Sequence, residues 1–425
     1  MTFMVNGNTV ITSDRLIQLP SGTSRPASPK TGQLFFDTSI AKVIVWDGTR
    51  WRSSPASIVT FSTNGWGWGG GQTSTEGRIG DGTTYNRSVP VQVSYSITDW
   101  VQIAAGGFHS AGIRASGAAY CWGRGSSGQI GDNSNQERRN PRSVLGGAVW
   151  SQISCGNSHT AAVRTNGTAW CWGLNQGRLG DGTITIRSSP VQVVGGFTDW
   201  TQISAGTIHT CARRNNGTIW CWGGNGSGQL GASRISTAST SSPVQVSGGF
   251  TDWTKVSCRQ NSVIGLRSNG TAWAWGNNAN GQLGTNSTGT VSSPVQVAGG
   301  FSDWIDVSMG YNHAAGVRSN GTLWCWGLNG QGRLGDNTTT NRLSPVQIVG
   351  GITNWSRVSA GGDFTVGLTT NGTIWTWGRN AYGQLGDGTL TSRSSPVLLN
   401  GGFTNWTQIY AGWFHGMARR SSTVL

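Results

Sequence analysis

Acids are scarce in this chain: 16 Asp and Glu stand against 30 Lys and Arg in 425 residues, for a formal charge of +14. Among Glu76, Glu137, Asp306 and Asp363 no two share a repeat position, so a carboxylate pair for glycoside hydrolysis has no candidate. No Gly-x-Ser-x-Gly elbow, phosphate-binding Gly-Lys-Ser/Thr loop or Cys-x-x-Cys pair occurs. The seven cysteines are an odd number, which excludes a complete disulfide framework, and all seven are read as structural and reduced at synthesis. Apolar stripes at helical spacing are missing, and so are apolar runs long enough for a signal core or a membrane span. These absences point to a non-enzymatic all-β protein with no catalytic residue, cofactor or metal. It is expected to be made in a cytoplasm, without membrane insertion or an export route of its own.

What the chain has in quantity is repetition. A tryptophan that opens a strand recurs at Trp100, Trp150, Trp200, Trp253, Trp304, Trp355 and Trp406, in steps of 50, 50, 53, 51, 51 and 51 residues. A second marker, the Trp-Gly closing an Asn-Gly-Thr-x-Trp-x-Trp-Gly segment, falls at Trp68, Trp122, Trp172, Trp222, Trp275, Trp326 and Trp377. Each unit reads as four short strands with a two-residue turn at Asn-Gly, where glycine supplies the positive φ. Units of about fifty residues arranged in a ring give a β-propeller. The two markers are out of phase: the chain begins with a Trp-Gly segment and ends with a Trp406 strand and a His415 strand that lack theirs. Joined, they complete one unit, so the expectation is a seven-bladed propeller with split-blade closure over residues 55–425. An extended docking arm (1–19) precedes it, followed by a linker and small β module (20–54).

The recurring Gly-x-x-His, Asn-Gly-Thr-x-Trp-Cys-Trp-Gly, Gly-Gln-Leu-Gly-Asp-Gly and Ser-Pro-Val-Gln-Val segments resemble the regulator of chromosome condensation repeat family. That resemblance covers residues 57–425 and implies the same seven-bladed fold. The founding member binds chromatin and exchanges nucleotide on a small GTPase, whereas many relatives are scaffolds; no loop here offers a place to transfer exchange residues to. The opening Asn-Gly-Asn-Thr-Val-Ile-Thr-Ser-Asp-Arg-Leu and the Gly-Gln-Leu-Phe-Phe-Asp-Thr and Trp-Asp-Gly-Thr-Arg-Trp segments resemble bacteriophage virion proteins, tail-fibre and appendage chains above all.

Repeat positions also sort the polar residues. Acids in the Leu/Ile-Gly-Asp turn pair in sequence with arginines six residues on: Asp81 and Arg87, Asp132 and Arg138, Asp181 and Arg187, Asp336 and Arg342, Asp387 and Arg393. The two units without the acid, at Ala232 and Thr285, have lost the arginine too, so these five pairs are expected to clamp the long loop onto its own blade. Histidines 109, 159, 209, 313 and 415 share one position and are read as structural caps rather than a metal ring. Arg114, Arg164, Arg214, Arg267, Arg318 and Arg420 precede the hairpin turn with no acid recurring beside them, and are the candidate rim for a polyanion or receptor. The loop around Arg234 and Ile235 is two residues longer than its counterparts and lacks the clamp, so mobility and partner contact are expected there. Twenty of the 23 tryptophans are core positions, which leaves Trp46, Trp51 and Trp413 unassigned.

Together these readings favour a bacteriophage virion protein located in the virion, a tail fibre or appendage. In it, residues 1–54 dock to other virion proteins and the propeller binds host polysaccharide or lipopolysaccharide. A homo-oligomer is expected. The alternatives are a capsid or tail decoration protein, and a cellular propeller that binds nucleic acid or a small GTPase.

Overall fold

The computed structural model describes residues 76–94 and 97–424 without a break. Before them it describes the segments 3–5, 8–10, 21–22, 28, 34–37, 42–46, 48–53 and 60–70. The chain divides into two compact units, one spanning Met1–Ser62 with Ser422–Leu425, the other Thr63–Ser421. In the first, Phe3–Val5 pairs antiparallel with Asn8–Val10, and Ser21–Gly22, Leu34–Asp37, Lys42–Trp46 and Trp51–Ser53 form a four-stranded sheet in that order. The rest of the expected arm and linker lies outside the described residues.

The second unit is a seven-bladed β-propeller of four-stranded antiparallel sheets, with strands a to d running outward from the axis. Blade 1 consists of Trp100–Ala105, His109–Arg114, Ala119–Gly123 and Arg138–Ser143. Strand a opens blades 2 to 6 at Trp150, Trp200, Trp253, Trp304 and Trp355. Blade 7 is split: Trp406–Ala411 and His415–Val424 come from the C-terminal end, Thr60–Gly69 and Arg87–Gln92 from the N-terminal side. This is the closure that the phase difference between the two markers implies. Because neighbouring strands alternate in direction, the a–b turns and c–d loops share one face of the disc. The b–c turns and the links to the next blade share the other.

The core is a series of sandwiches between blades. In blades 1 to 6 the strand a tryptophan meets the strand c tryptophan of its own blade, with ring centroids 5.7–6.1 Å apart. On the opposite side of each sheet, small residues such as Ala161 and Cys171 receive the tryptophans of the following blade. Five strand c indoles donate to a carbonyl of the preceding blade, as Trp172 does to Gln129 (3.0 Å).

Polar side chains also join the blades. The strand b histidines do not cap strands within their own blade. Instead Nε2 lies 2.8–2.9 Å from the next blade's hydroxyl in the pairs His109–Thr160, His159–Thr210, His313–Thr365 and His415–Ser110. Nearer the axis, Gln102 both donates to the carbonyl and accepts from the amide of Ile153, and Gln202 does the same with Val256. Serines one pleat further on accept the next strand's amide, as Ser154 does from Ala205 (3.0 Å).

Two of the seven cysteines are paired. Cys211 and Cys221 are directly opposed in the b–c ladder of blade 3 and joined as a disulfide, because their side chains emerge on the same side of the sheet. The other five are buried thiols.

Candidate recognition face

The outer loops settle first where the sequence-selected residues lie. Arginine Nε of each clamp donates to its aspartate at 2.7 Å (Arg87–Asp81), 2.8 Å (Arg138–Asp132), 3.0 Å (Arg187–Asp181), 2.8 Å (Arg342–Asp336) and 3.2 Å (Arg393–Asp387). The carboxylates are buried and the guanidiniums one-third exposed. Each aspartate also accepts from the amide and hydroxyl two residues on, as from Thr183 to Asp181. Burial alone would raise four of these carboxyls, but the hydroxyl, arginine and amide donors outweigh it. Asp132, Asp181, Asp336 and Asp387 end below the ordinary carboxylate value. In each case the arginine is the first residue of strand d, so the clamp fixes where the outer strand begins.

The six-arginine rim is not a ring of free cations. Arg114, Arg214, Arg267 and Arg318 donate at 2.7–2.8 Å to Asp99, Asp199, Asp252 and Asp303. The acid stands 15 residues upstream, and the a–b pairing, Trp100 opposite Arg114 and its equivalents, carries it alongside. The guanidiniums of Arg214, Arg267 and Arg318 also lie over Phe197, Phe250 and Phe301. Arg164 covers Trp150 and Trp170, and Arg420 covers Trp66 and Phe403. These residues staple the hairpin turns on the b–c face. The long blade 3 loop also differs from expectation: strand d there runs Ser236–Gln245, extended by pairing Asn225 with Ser236, with Arg234 and Ile235 exposed before it.

Further departures from repetition lie on the opposite face, where the a–b turns meet the axis. Six of these turns open on glycine, at Gly106, Gly156, Gly206, Gly310, Gly361 and Gly412. Turn amides bond to the neighbouring blade's turn carbonyls at six of the seven steps, for instance Gly107 to Gly156 and Trp413 to Gly106. A Cβ at Gly106 would lie 2.4 Å from the Gly156 carbonyl oxygen, so the ring closes this tightly only around glycine. Blade 4 breaks the pattern with Arg259. At Gly206 a Cβ would also lie 2.5 Å from the His209 ring, and in blade 4 that histidine is Ser262. Two exchanges at one turn thus make room for a long side chain. Arg259 reaches over the axis to the Ala411 carbonyl of blade 7. It borders both a central channel of about 460 Å³ and the shallow mouth above it. The channel wall carries Lys255, Asp306 and Arg357, with Lys255 and Asp306 paired.

Blades 5, 6, 7 and 1 carry an aromatic cluster around this mouth. Tyr311 stacks on Trp413 at 5.1 Å and Trp413 on Phe414 at 5.0 Å, while Phe108 and Tyr382 meet the stack at an angle. Trp413 spans the intervening turn because blade 6 has Gly361-Gly362 there; a Cβ on Gly362 would lie 2.3 Å from the indole. All five rings are half-buried. Arg78 and Arg124 lie over Phe108 and Arg379 over Tyr382, and Asp363 accepts from Arg333 (2.8 Å) and Arg379 (3.3 Å). Sequence reasoning set Trp413 apart as non-repetitive but did not find its neighbours. Comparing the a–b turn across the seven copies, position by position, would have found them.

The chain matches the RCC1-like domain family over residues 54–313 and 177–425. The ultraviolet-B receptor UVR8 of Arabidopsis thaliana is 31% identical over 202 residues, 47% of this chain and 46% of that protein. Human protein RCC2 is 30% identical over 146 residues, 33% of this chain and 28% of its own length. The chain thus spans less than half the length of these curated relatives. Among solved structures, yeast RCC1 (Prp20) bound to Kap60 superposes with a TM-score of 0.76 at 18% identity, covering 89% of this chain and 95% of that one. Human WBSCR16 gives 0.75 at 20% identity, covering 86% and 100%. Prp20p of Saccharomyces cerevisiae, described with its binding to Gsp1p and histones, gives 0.74 at 19% identity, covering 87% and 93%.

Proposed function

Because this chain belongs to the RCC1-like domain family, we propose that it is a non-catalytic recognition propeller whose a–b face receives a protein partner. The observation that carries this reading is the Phe108, Tyr311, Tyr382, Trp413 and Phe414 cluster with Arg124 and Arg379 beside it. Half-buried aromatics and arginines around a shallow depression are the residue types that dominate protein–protein hot spots. Elsewhere on the propeller most recurring charged side chains have structural partners, as in the Asp–Arg clamps and the b–c face staples. The description of Prp20p with Gsp1p and histones supplies a precedent for protein partners on this fold.

The test is affinity capture with the full chain as bait, comparing Trp413→Ala and Arg124→Glu with Arg234→Glu on the rim. Face variants should lose a specific partner by about tenfold or more, the scale of a single hot spot. Loss confined to the Arg234 variant would move the site to the rim and end this assignment.

The bacteriophage reading stays a second proposal, supported by the sequence of residues 1–54; the family match begins at residue 54, and the relatives named above are cellular proteins. Immunogold labelling of particles from the source, with antibody to the propeller, tests it: label on tail appendages supports it, and unlabelled particles remove it.

A further inference from the structure

The contact between blades 3 and 4 departs from its equivalents at two inward-facing positions and carries a cysteine at a third. The strand b residue two after the histidine is Ala111, Ala161 and Ala315 in blades 1, 2 and 5, but Cys211 in blade 3. At the end of strand a the residue is Ala105, Ala205, Ala360 and Ala411 in four blades, Met309 in blade 5, and cysteine in two, Cys155 in blade 2 and Cys258 in blade 4. The hydroxyl that should meet His209 is replaced by Val263. His209 is therefore the one histidine of the five with neither ring nitrogen hydrogen-bonded, although it is fully buried. The Gln260 backbone nears the ring but does not reach hydrogen-bond geometry at either nitrogen. A fully buried imidazole without a partner normally costs stability.

The exchanges bring soft donors to that imidazole. A ring nitrogen of His209 and the sulfurs of Cys211 and Cys258 all lie within 4.8 Å of one another. Cys221 sits beside Cys211, bonded to it, on the same side of the sheet. Around an ion with bonds near 2.3 Å, tetrahedral sulfurs stand roughly 3.8 Å apart, so a small contraction would bring His209, Cys211 and Cys258 to ligand distance, while Cys221 joins them only by turning away from Cys211 once their bond is reduced. The Cys258 thiol now donates to the Ser204 carbonyl at 2.8 Å, a bond that ends when the thiol is deprotonated. Three thiolates and one imidazole are the donor set of closed, structural zinc sites.

We propose that the reduced protein holds a thiophilic metal ion, zinc by preference, between blades 3 and 4 on His209, Cys211, Cys221 and Cys258. The disulfide is the oxidised, metal-free state of the same site. A dithiol delivers two electrons and two protons to the Cys211–Cys221 bond and leaves as its own cyclic disulfide. The ion then displaces one proton from each of the three thiols. It would tie blade 3 to blade 4 where the histidine–hydroxyl contact is missing.

The experiment uses the full chain, made under reducing conditions, purified in dithiothreitol, given excess zinc and passed into metal-free buffer. Elemental analysis should find about one zinc per chain, falling below about a tenth in Cys211→Ala and Cys258→Ala. Alanine already occupies these positions in other blades, so both variants should fold; circular dichroism checks this. Cobalt loading should give a thiolate-to-metal charge-transfer band in the parent that Cys258→Ala weakens. Copper retained in place of zinc, with the same loss in the variants, supports the site and changes its ion. The proposal fails if the reduced parent, its thiols counted by alkylation, keeps no metal. It also fails if both variants keep the parent's metal, or if the Cys211–Cys221 bond survives the dithiol.

Discussion

The inner and outer halves of each blade are held by different kinds of contact. Toward the axis, polar side chains reach between blades: histidine to hydroxyl, glutamine and serine to backbone, turn amide to turn carbonyl. Toward the rim the recurring acid–arginine pairs stay within a blade, as in the Asp–Arg clamps and the Asp99–Arg114 type of staple, and the blades meet there through loop amides on the next strand d, as Asn133 does on the Ser188 carbonyl. The clamp is copied in five blades of seven and lost at Ala232 and Thr285. The axis, where seven turns share one small space, is where a single exchange such as Arg259 changes the whole surface. Repetition at the rim and divergence at the axis are what one expects of a scaffold that carries its recognition chemistry at the centre.

Acid separates the two halves most sharply. Burial holds all five histidines below their ordinary value, His109 and His209 at about 3. A depressed histidine contributes stability that is fully present above the unfolded pKa of about 6.5 and is lost as pH falls toward the folded value. Each costs about 1.4 kcal/mol per pH unit across that window, and five act together. Asp132, Asp181, Asp336 and Asp387 are depressed as well, but from an ordinary value near 4, so their contribution fades only below that pH. Thermal melts from pH 7.5 to 3.5 should show the melting temperature falling steeply from just below pH 6.5. A curve flat to pH 4 would mean that the rim, not the axis, governs acid unfolding.

Gly106→Val attacks the axial ring directly. The new Cβ meets backbone of blade 2 that cannot rotate away, and a cost of about 3 kcal/mol or more is expected by denaturant titration. The reverse exchange in blade 4, Arg259→Gly, should leave stability within about 1 kcal/mol and open the channel mouth. If Gly106→Val is as mild as Arg259→Gly, the tight ring is not what holds the axis. At the rim, Asp181→Ala should cost about 2 kcal/mol, because it strands the Asn175 and Thr183 donors while Arg187 can turn to solvent.

Much of this plan was legible in the sequence because internal copies act as their own controls. Joint loss of acid and arginine at Ala232/Ala238 and Thr285/Val291 pointed to the clamps, and the offset of Trp68 against Trp100 located the seam in blade 7. The Asp99–Arg114 staple escaped notice because 15 residues and a bulge between Ile113 and Arg114 hide the register that joins them. Contacts between blades were harder still. His109 and Thr160 are 51 residues apart, and nothing in one unit says which face meets the next. Arg259 and Cys258 were visible as letters but acquire meaning only once six glycines are seen closing on one axis.

The smallest expected effects concern the arginines that the sequence singled out for binding. Arg114→Ala removes an ion pair with Asp99 in which both side chains are about one-third exposed, and its cost should stay below about 1 kcal/mol. Arg214→Ala should cost somewhat more, because it also uncovers the Phe197 ring, with its guanidinium carbon 4.1 Å from the centroid. Salt distinguishes the two: screening weakens the Arg114 pair, whereas stacking on an aromatic face persists. In 0.5 M sodium chloride the Arg114→Ala penalty should shrink toward zero and the Arg214→Ala penalty should be largely retained. If both vanish with salt, the b–c face staples are purely electrostatic. If neither has a measurable cost, those arginines are free for a partner, and the rim regains its claim as a binding surface.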